Sequence, residues 1–240
     1  MKRAEEIIIR AILLVCLSDR AALEKGTIEG ITYSLEQREG QRKAIYQWII
    51  DKGYSDFLTS EEKRLVEQEV GKGNTSEILS KQIQYEAVEP LLWSLGFIDT
   101  LSSYKDFVIE DFHPILEIGG NHSLENLLLK SELRDREDVY LQNEIAILWH
   151  WRTKESNNPV FSTHPVKEVI VSTFGDAYLK IVKKMNLVKG EHKDFLVDGR
   201  AFEELNAEDQ ARIQLVAYWR QYALEWVISD EAWEDIELTT

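Results

Sequence analysis

Glu86 and Glu89 stand three residues apart in an apolar stretch, a spacing that puts two carboxylates on one helix face. Such a pair can divide acid and base roles when its two environments pull the pKa values apart. It can equally be one buried ion-pair partner and one surface charge, and this structural role is the favoured one. Asp111, His113 and His122 are the nearest approach to a metal-ligand set. Zinc or non-haem iron would need about three such groups converging. The spacing is irregular and no His-x-x-x-His helix exists, so no metal is expected and the histidines are read as loop or capping groups.

His150 lies between Trp149 and Trp151 and is followed by Arg152. On a helix the two tryptophans point about 200° apart, so they cannot form one stacking platform. One is expected in the core and the other at the rim. A rim tryptophan beside histidine and arginine would suit a binding hot spot, with core packing the plainer role. Gly119-Gly120-Asn121-His122-Ser123 precedes a helical pattern but lacks the Walker lysine and the dinucleotide glycine spacing. It reads as a tight turn with Ser123 as helix cap. Cys16, the single cysteine, sits among Ile12, Leu13, Val15 and Leu17, which suits inert packing.

These residues are carried on elements whose pattern is chiefly helical. Ile8, Ala11, Ile12, Val15 and Ala22 give residues 4–24 a period near 3.6, an amphipathic helix. Residues 27–34 break it with a loop or short strand. A second helix is expected over 36–52. Thr59 followed by Glu62 makes a capping box that opens a third, running to about Val70 and stopped by Gly71-Lys72-Gly73-Asn74. The next begins near Thr75 or Ser76. It should kink or split at Pro90, where a backbone donor is missing.

From 101 to 120 the reading is irregular, with a short strand possible. Ser123 opens a helical stretch to about Arg152, breakable near Arg134. Residues 165–185 fit a helix, with a strand as the alternative at Val169-Ile170-Val171. A turn with a short strand follows at 194–203. The last helix, capped by Asn206, carries Leu215, Val216, Trp219, Tyr222, Ala223, Trp226 and Val227 as one apolar stripe.

The fold class expected is therefore mainly α. We expect one compact multi-helix domain over 1–240 with at most a few short strands, and a minor division near 157–159. A chain of 240 residues, 44% apolar, can bury roughly 70–75% of its unfolded surface and needs no staple. Arg10 interrupts the first apolar run and leaves it too short for a membrane span, and one cysteine suits a reducing compartment. A cytoplasmic protein is the expectation. Twenty-eight basic against 43 acidic residues give a formal charge of −15, which repels phosphate backbones and anionic lipid. Neither nucleic acid nor membrane is expected as a partner, and no cofactor motif is present.

Two segments resemble a bacterial family, domain of unknown function 4272. Glu86-Ala87-Val88-Glu89-Pro90-Leu91-Leu92-Trp93-Ser94-Leu95-Gly96 is similar to its glutamate followed by an apolar Leu-Trp-x-Leu-Gly helix. Arg220 through Trp226, then Trp233-Glu234-Asp235-Ile236 and Thr239-Thr240, resemble its terminal pattern. Weaker likeness covers Arg10-Ala11 and the stretch from Asp194 to Leu205. Trp219, Gln221 and Glu225 depart from that pattern, where an acidic residue, a histidine and an asparagine are common. Chemistry requiring that histidine would be absent. The resemblance implies a whole-chain domain, and it informs fold more than function. With a charge set in each motif, Glu86 is expected to pair with Arg220.

The leading functional expectation is a non-catalytic binding protein of the bacterial cytoplasm, acting on another protein. The alternative is a small-molecule enzyme or ligand-binding protein with a tryptophan-lined cleft containing Glu86, Glu89 and Arg220. A third reading is an acidic mimic of nucleic acid with a basic partner. Contact residues for partner or ligand are expected among Glu86, Glu89, Trp93, His150, Trp151, Arg152, Arg220 and Trp226.

Overall fold

The structure is a computed structural model that describes residues 1–28, 30–155, 164–184 and 194–238. Its helices are α1 (Ala4–Ala22), α2 (Leu35–Asp51), α3 (Ser60–Glu67), α4 (Thr75–Ile83), α5 (Val88–Ser94), α6 (His113–Leu116) and α7 (Leu124–Lys130). They continue as α8 (Arg136–Lys154), α9 (Val166–Phe174), α10 (Asp176–Lys184) and α11 (Ala207–Ile228). Short 3₁₀ turns and two antiparallel hairpins join them, β1 (Thr27–Ile28) with β2 (Ile31–Thr32) and β3 (Leu196–Val197) with β4 (Arg200–Ala201). The fold is mainly α, as the periodicity implied. No described helix is long and apolar enough to cross a membrane.

Local chemistry accounts for most boundaries. Thr59 and Glu62 form the expected capping box at α3, each side chain accepting the other's backbone N–H at 3.2 and 2.9 Å. Asn74 accepts the Ser76 N–H and opens α4, Ser123 accepts the Asn126 N–H and opens α7, and Asn206 accepts the Asp209 N–H ahead of α11. Pro90 splits the fourth helical stretch. A 3₁₀ turn over Gln84–Ala87 separates α4 from α5, and Pro90 falls in the first turn of α5, where its missing N–H has no intrahelical acceptor to lose. Asp198-Gly199, both at positive φ, make the two-residue loop between β3 and β4.

Two expectations of secondary structure need correcting. Residues 101–112 contain no strand, and 113–116 form one helical turn with Pro114 in its first positions, where proline is tolerated. The β-branched run at 169–171 is helical, in α9, as expected over its strand alternative. The helix expected over 165–185 is two helices, broken at Gly175, whose φ is +87°. Asn157, Asn158 and Pro159, the expected division, lie outside the described residues, as do Thr239 and Thr240.

The chain divides into two compact units. The first comprises Met1–Leu101, Val108–Arg134 and Trp226–Ile236. Its centre is α1, against which α2 to α7 all pack. Every residue from Ile7 to Leu17 is buried, so α1 is enclosed around its whole circumference rather than amphipathic. Arg10 is inside as well, donating to Glu62 at 2.9 and 3.0 Å and to the Phe57 carbonyl. Arg20, fully buried, donates to the Leu65 and Gln68 carbonyls, and Arg42 of α2 to that of Val66. These guanidiniums satisfy carbonyls that the end of α3 leaves without helical partners.

The second unit comprises Ser102–Phe107, Asp135–Glu225 and Glu237–Thr240. Its core gathers Leu148, Trp149 and Trp151 of α8, Val166 and Ile170 of α9, Val182 of α10, Phe195 and Val197 of the hairpin, and Ile213 and Ala217 of α11. Arg152 and Asp194 form a bidentate pair inside it, with both distances 2.7 Å. Asp194 also accepts the backbone N–H groups of Phe195 and Glu203, so one carboxylate anchors the hairpin to α8.

Candidate functional site

The residues singled out from sequence are mostly structural members of their own units. Trp149 and Trp151 are both buried, so neither is at a rim. Trp149 stacks on Tyr104 and meets Phe195 edge-on, while Trp151 meets Phe174 edge-on. His150 is buried, its Nδ1 2.6 Å from the Gln221 Oε1 and its ring edge-on to Tyr218. Because that oxygen only accepts, Nδ1 carries the hydrogen, and burial lowers the imidazole pKa. Arg152 is committed to Asp194. Its enclosure follows from α8 having core neighbours on both the Trp149 and the Trp151 side.

Trp93, on α5, lies under the Arg134 guanidinium at 4.6 Å. Trp226 meets Trp233 edge-on and takes Lys2 over its ring, while Arg10 lies over Trp233. Arg220 donates to the Ser102 carbonyl and hydroxyl and to the Ser103 carbonyl, and lies 4.4 Å over the Tyr104 ring. It thereby holds the excursion 102–107 in the second unit. Glu86 and Glu89 are buried in the first unit, and Glu86 accepts the Val108 N–H at 2.9 Å. Glu86 and Arg220 thus belong to different units.

Asp111, His113 and His122, the nearest approach to a metal-ligand set, part company. His122 has Nδ1 3.1 Å from the Leu116 carbonyl and Nε2 2.7 Å from the Tyr54 hydroxyl. A carbonyl can only accept, so Nδ1 donates and Nε2 receives the Tyr54 proton. The ring is neutral, its pKa lowered by burial, while burial also raises that of Tyr54 to about 12. His113 bonds instead to Asp111 and Asp19. Among the described residues no three His, Cys, Asp or Glu side chains are grouped to hold a metal ion.

A different place in the first unit has the shape of a site. An open depression of about 460 Å³ is lined by His113 and Pro114 of α6, by Glu117 and Ile118 beyond it, by Gly120 and Asn121 of the turn, and by Asn126 of α7. Glu117 ends α6 in the left-handed region, φ +56°, which side chains with a Cβ rarely adopt. Its carboxylate accepts from Lys130 at 2.6 Å and from the Ser123 N–H, and the Lys130 bond is the main cause that holds its pKa below the usual range.

Beside the depression, α7 carries Leu127-Leu128-Leu129. Consecutive helical residues are about 100° apart, so the three leucines point in different directions. Leu127 is buried, Leu128 is 36% exposed and Leu129 79%. Leu129 is three residues from Asn126 and so adjoins it on the same face. Leu133 adds a further exposed apolar side chain. The leucine run at 127–129 is the signal of this surface available in the sequence. Asp19 and Glu117 carried no comparable one.

Set beside known proteins, the chain matches the family model described as domain of unknown function (DUF4272) over residues 1–171. That span holds the Glu86–Gly96 motif and the depression, and leaves the Arg220–Thr240 motif outside it. No curated protein and no solved structure matches.

Proposed function

The chain belongs to the DUF4272 family, and on that footing we propose that it is a non-catalytic binding protein of the bacterial cytoplasm. Its partner is another protein, engaged at the depression between α6 and α7 and the leucines beside it. The observation that carries this reading is Leu129, 79% exposed next to a lined depression. A large exposed apolar side chain in such a setting favours an interaction surface. The charge of −15 favours a basic partner through complementarity. His113, His122 and His150 are engaged in holding structure, and Cys16 is buried, which also supports binding over catalysis. The lone reduced thiol supports the cytoplasmic setting.

The volume of the depression gives a small-molecule occupant some support, since ligand pockets run from about 300 to 1,000 Å³. It is open to solvent, and its lining mixes charged and amide side chains with Pro114 and Ile118, which suits a protein surface better.

The test is an affinity capture from host lysate at low and high salt, with wild type and Leu129→Asp in parallel. The expected result is a stoichiometric basic partner, released by high salt and lost with Leu129→Asp while circular dichroism is unchanged. Equal capture by both proteins, or none by either, would defeat the reading.

A further inference from the structure

The wall of the depression is not an element of regular structure standing by itself. Residues 108–112 form an irregular strap that leads into α6, and the strap is held by side chains from elsewhere in the first unit. Glu86 accepts the Val108 N–H. The Tyr85 hydroxyl donates to the Glu110 carbonyl and accepts the Phe112 N–H, and the two rings stack with centroids 5.6 Å apart. The next residue is His113, the first of α6 and part of the depression's lining.

His113 has a carboxylate oxygen at each ring nitrogen. Nε2 lies 2.8 Å from Asp19 Oδ2 of α1, and Nδ1 lies 2.6 Å from Asp111 Oδ1 of the strap. Ionised carboxylates only accept hydrogen bonds, so both nitrogens must carry hydrogen and the ring must be an imidazolium. A neutral ring would turn a lone pair toward one of the two anions.

We propose that His113 is a protonation-dependent latch: its imidazolium bolts the strap and the first turn of α6 to Asp19 of α1, and loss of the proton releases both and dismantles the depression. The groups that face the ring are Asp19 from α1 and Asp111 from the strap. The Tyr85 hydroxyl, from the 3₁₀ turn, feels the charges of the same Asp111 and Asp19 and of Glu110. The His113 pKa is raised from 6.5 to about 9, first by the bond to Asp19. A raised value means that the latch contributes fully below about pH 6.5 and is lost as pH climbs through about 9. The surface is therefore assembled at neutral pH and opens on alkalinisation. The consequence for a partner rests on the reading proposed above, whereas the latch itself is measurable without one.

The experiment is an NMR titration of the His113 ring alongside amide protection factors for 108–118, corrected for intrinsic exchange, from pH 6 to 10.5. In wild type, strap protection is expected to fall at least about tenfold with the midpoint of the His113 titration, while α8 amides hold. In Asp19→Asn both midpoints should drop by about one unit or more. In His113→Gln the strap should be loose at pH 7 and show no titration. If His113→Gln fails to fold, Asp19→Asn carries the test. Strap protection that stays flat across the range in wild type, or a midpoint unmoved in Asp19→Asn, overturns the latch. A strap that behaves as expected in a protein that captures no partner at neutral pH counts against the binding reading alone.

Discussion

Arg10 reaches Glu62 from a helix 52 residues earlier in the chain, with both carboxylate oxygens within 3.0 Å of one guanidinium nitrogen. The same carboxylate accepts the Thr59 N–H, so one buried side chain both caps α3 and pins it to the central helix. The pair is almost fully enclosed, and Arg10 also lies over the Trp233 ring at 5.0 Å. Arg10→Met removes one partner of a buried pair, which typically costs about 3–5 kcal/mol. Urea unfolding should show a loss of that size, and adding Glu62→Gln should cost less than the sum of the two single changes. Additive losses would mean that the two side chains are energetically independent.

Asp194 is the corresponding anchor of the second unit. It accepts two bonds from Arg152 and two backbone N–H groups, with no exposure to solvent. Asp194→Asn leaves Arg152 buried without its counter-charge, and should cost about 3–5 kcal/mol. Because Phe195 meets Trp149 edge-on at 5.0 Å, the near-ultraviolet circular dichroism should weaken even where the protein stays folded. An unchanged spectrum and unfolding midpoint would show that the hairpin is held by its apolar residues alone.

Glu117 gives a sign test of backbone strain. At φ +56° a Cβ is unfavourable by roughly 1–2 kcal/mol, and glycine removes the penalty. Glu117→Gly and Glu117→Ala lose the same surface ion pair with Lys130, so it cancels between them. The glycine variant should therefore be the more stable of the two, the reverse of the order found inside a helix. Thermal unfolding of both decides it, and an alanine variant that melts higher would contradict the left-handed backbone at 117.

Cys16 should be silent toward thiol reagents in the native protein. Burial is the main reason that its thiol pKa stands well above the ordinary range, and the charge of Asp19 adds to it. Ellman's reagent should modify it only as the protein unfolds in urea. Rapid labelling in buffer would show that α1 is less enclosed than described.

Much of the secondary structure was legible because its signals are local. Thr59 with Glu62, Ser123 and Asn206 each act on a backbone N–H within three residues, so spacing alone identifies them. Pro90 marks a helix start for the same kind of reason. The errors arose where local preference met an environment. Trp149 and Trp151 point about 200° apart on α8, yet core neighbours on both sides bury them both. Arg10 and Arg152 look like surface charges in a linear reading, because the carboxylates they meet, Glu62 and Asp194, stand 52 and 42 residues away in the chain.

What the sequence determined by itself is the helical class, the main caps and breaks, an acidic surface and the absence of familiar catalytic templates. The tertiary structure decided which charges are interior and what each meets. Arg10 found Glu62, Arg152 found Asp194 42 residues on, and His113 found Asp19 across 94 residues. It also decided which leucine of the α7 run is buried and which stands in solvent beside the depression. The physical reason is reach. A cap acts within one helical turn, whereas a buried charge takes whatever partner the packing of distant helices brings within 3 Å, and no periodicity in the chain encodes that distance.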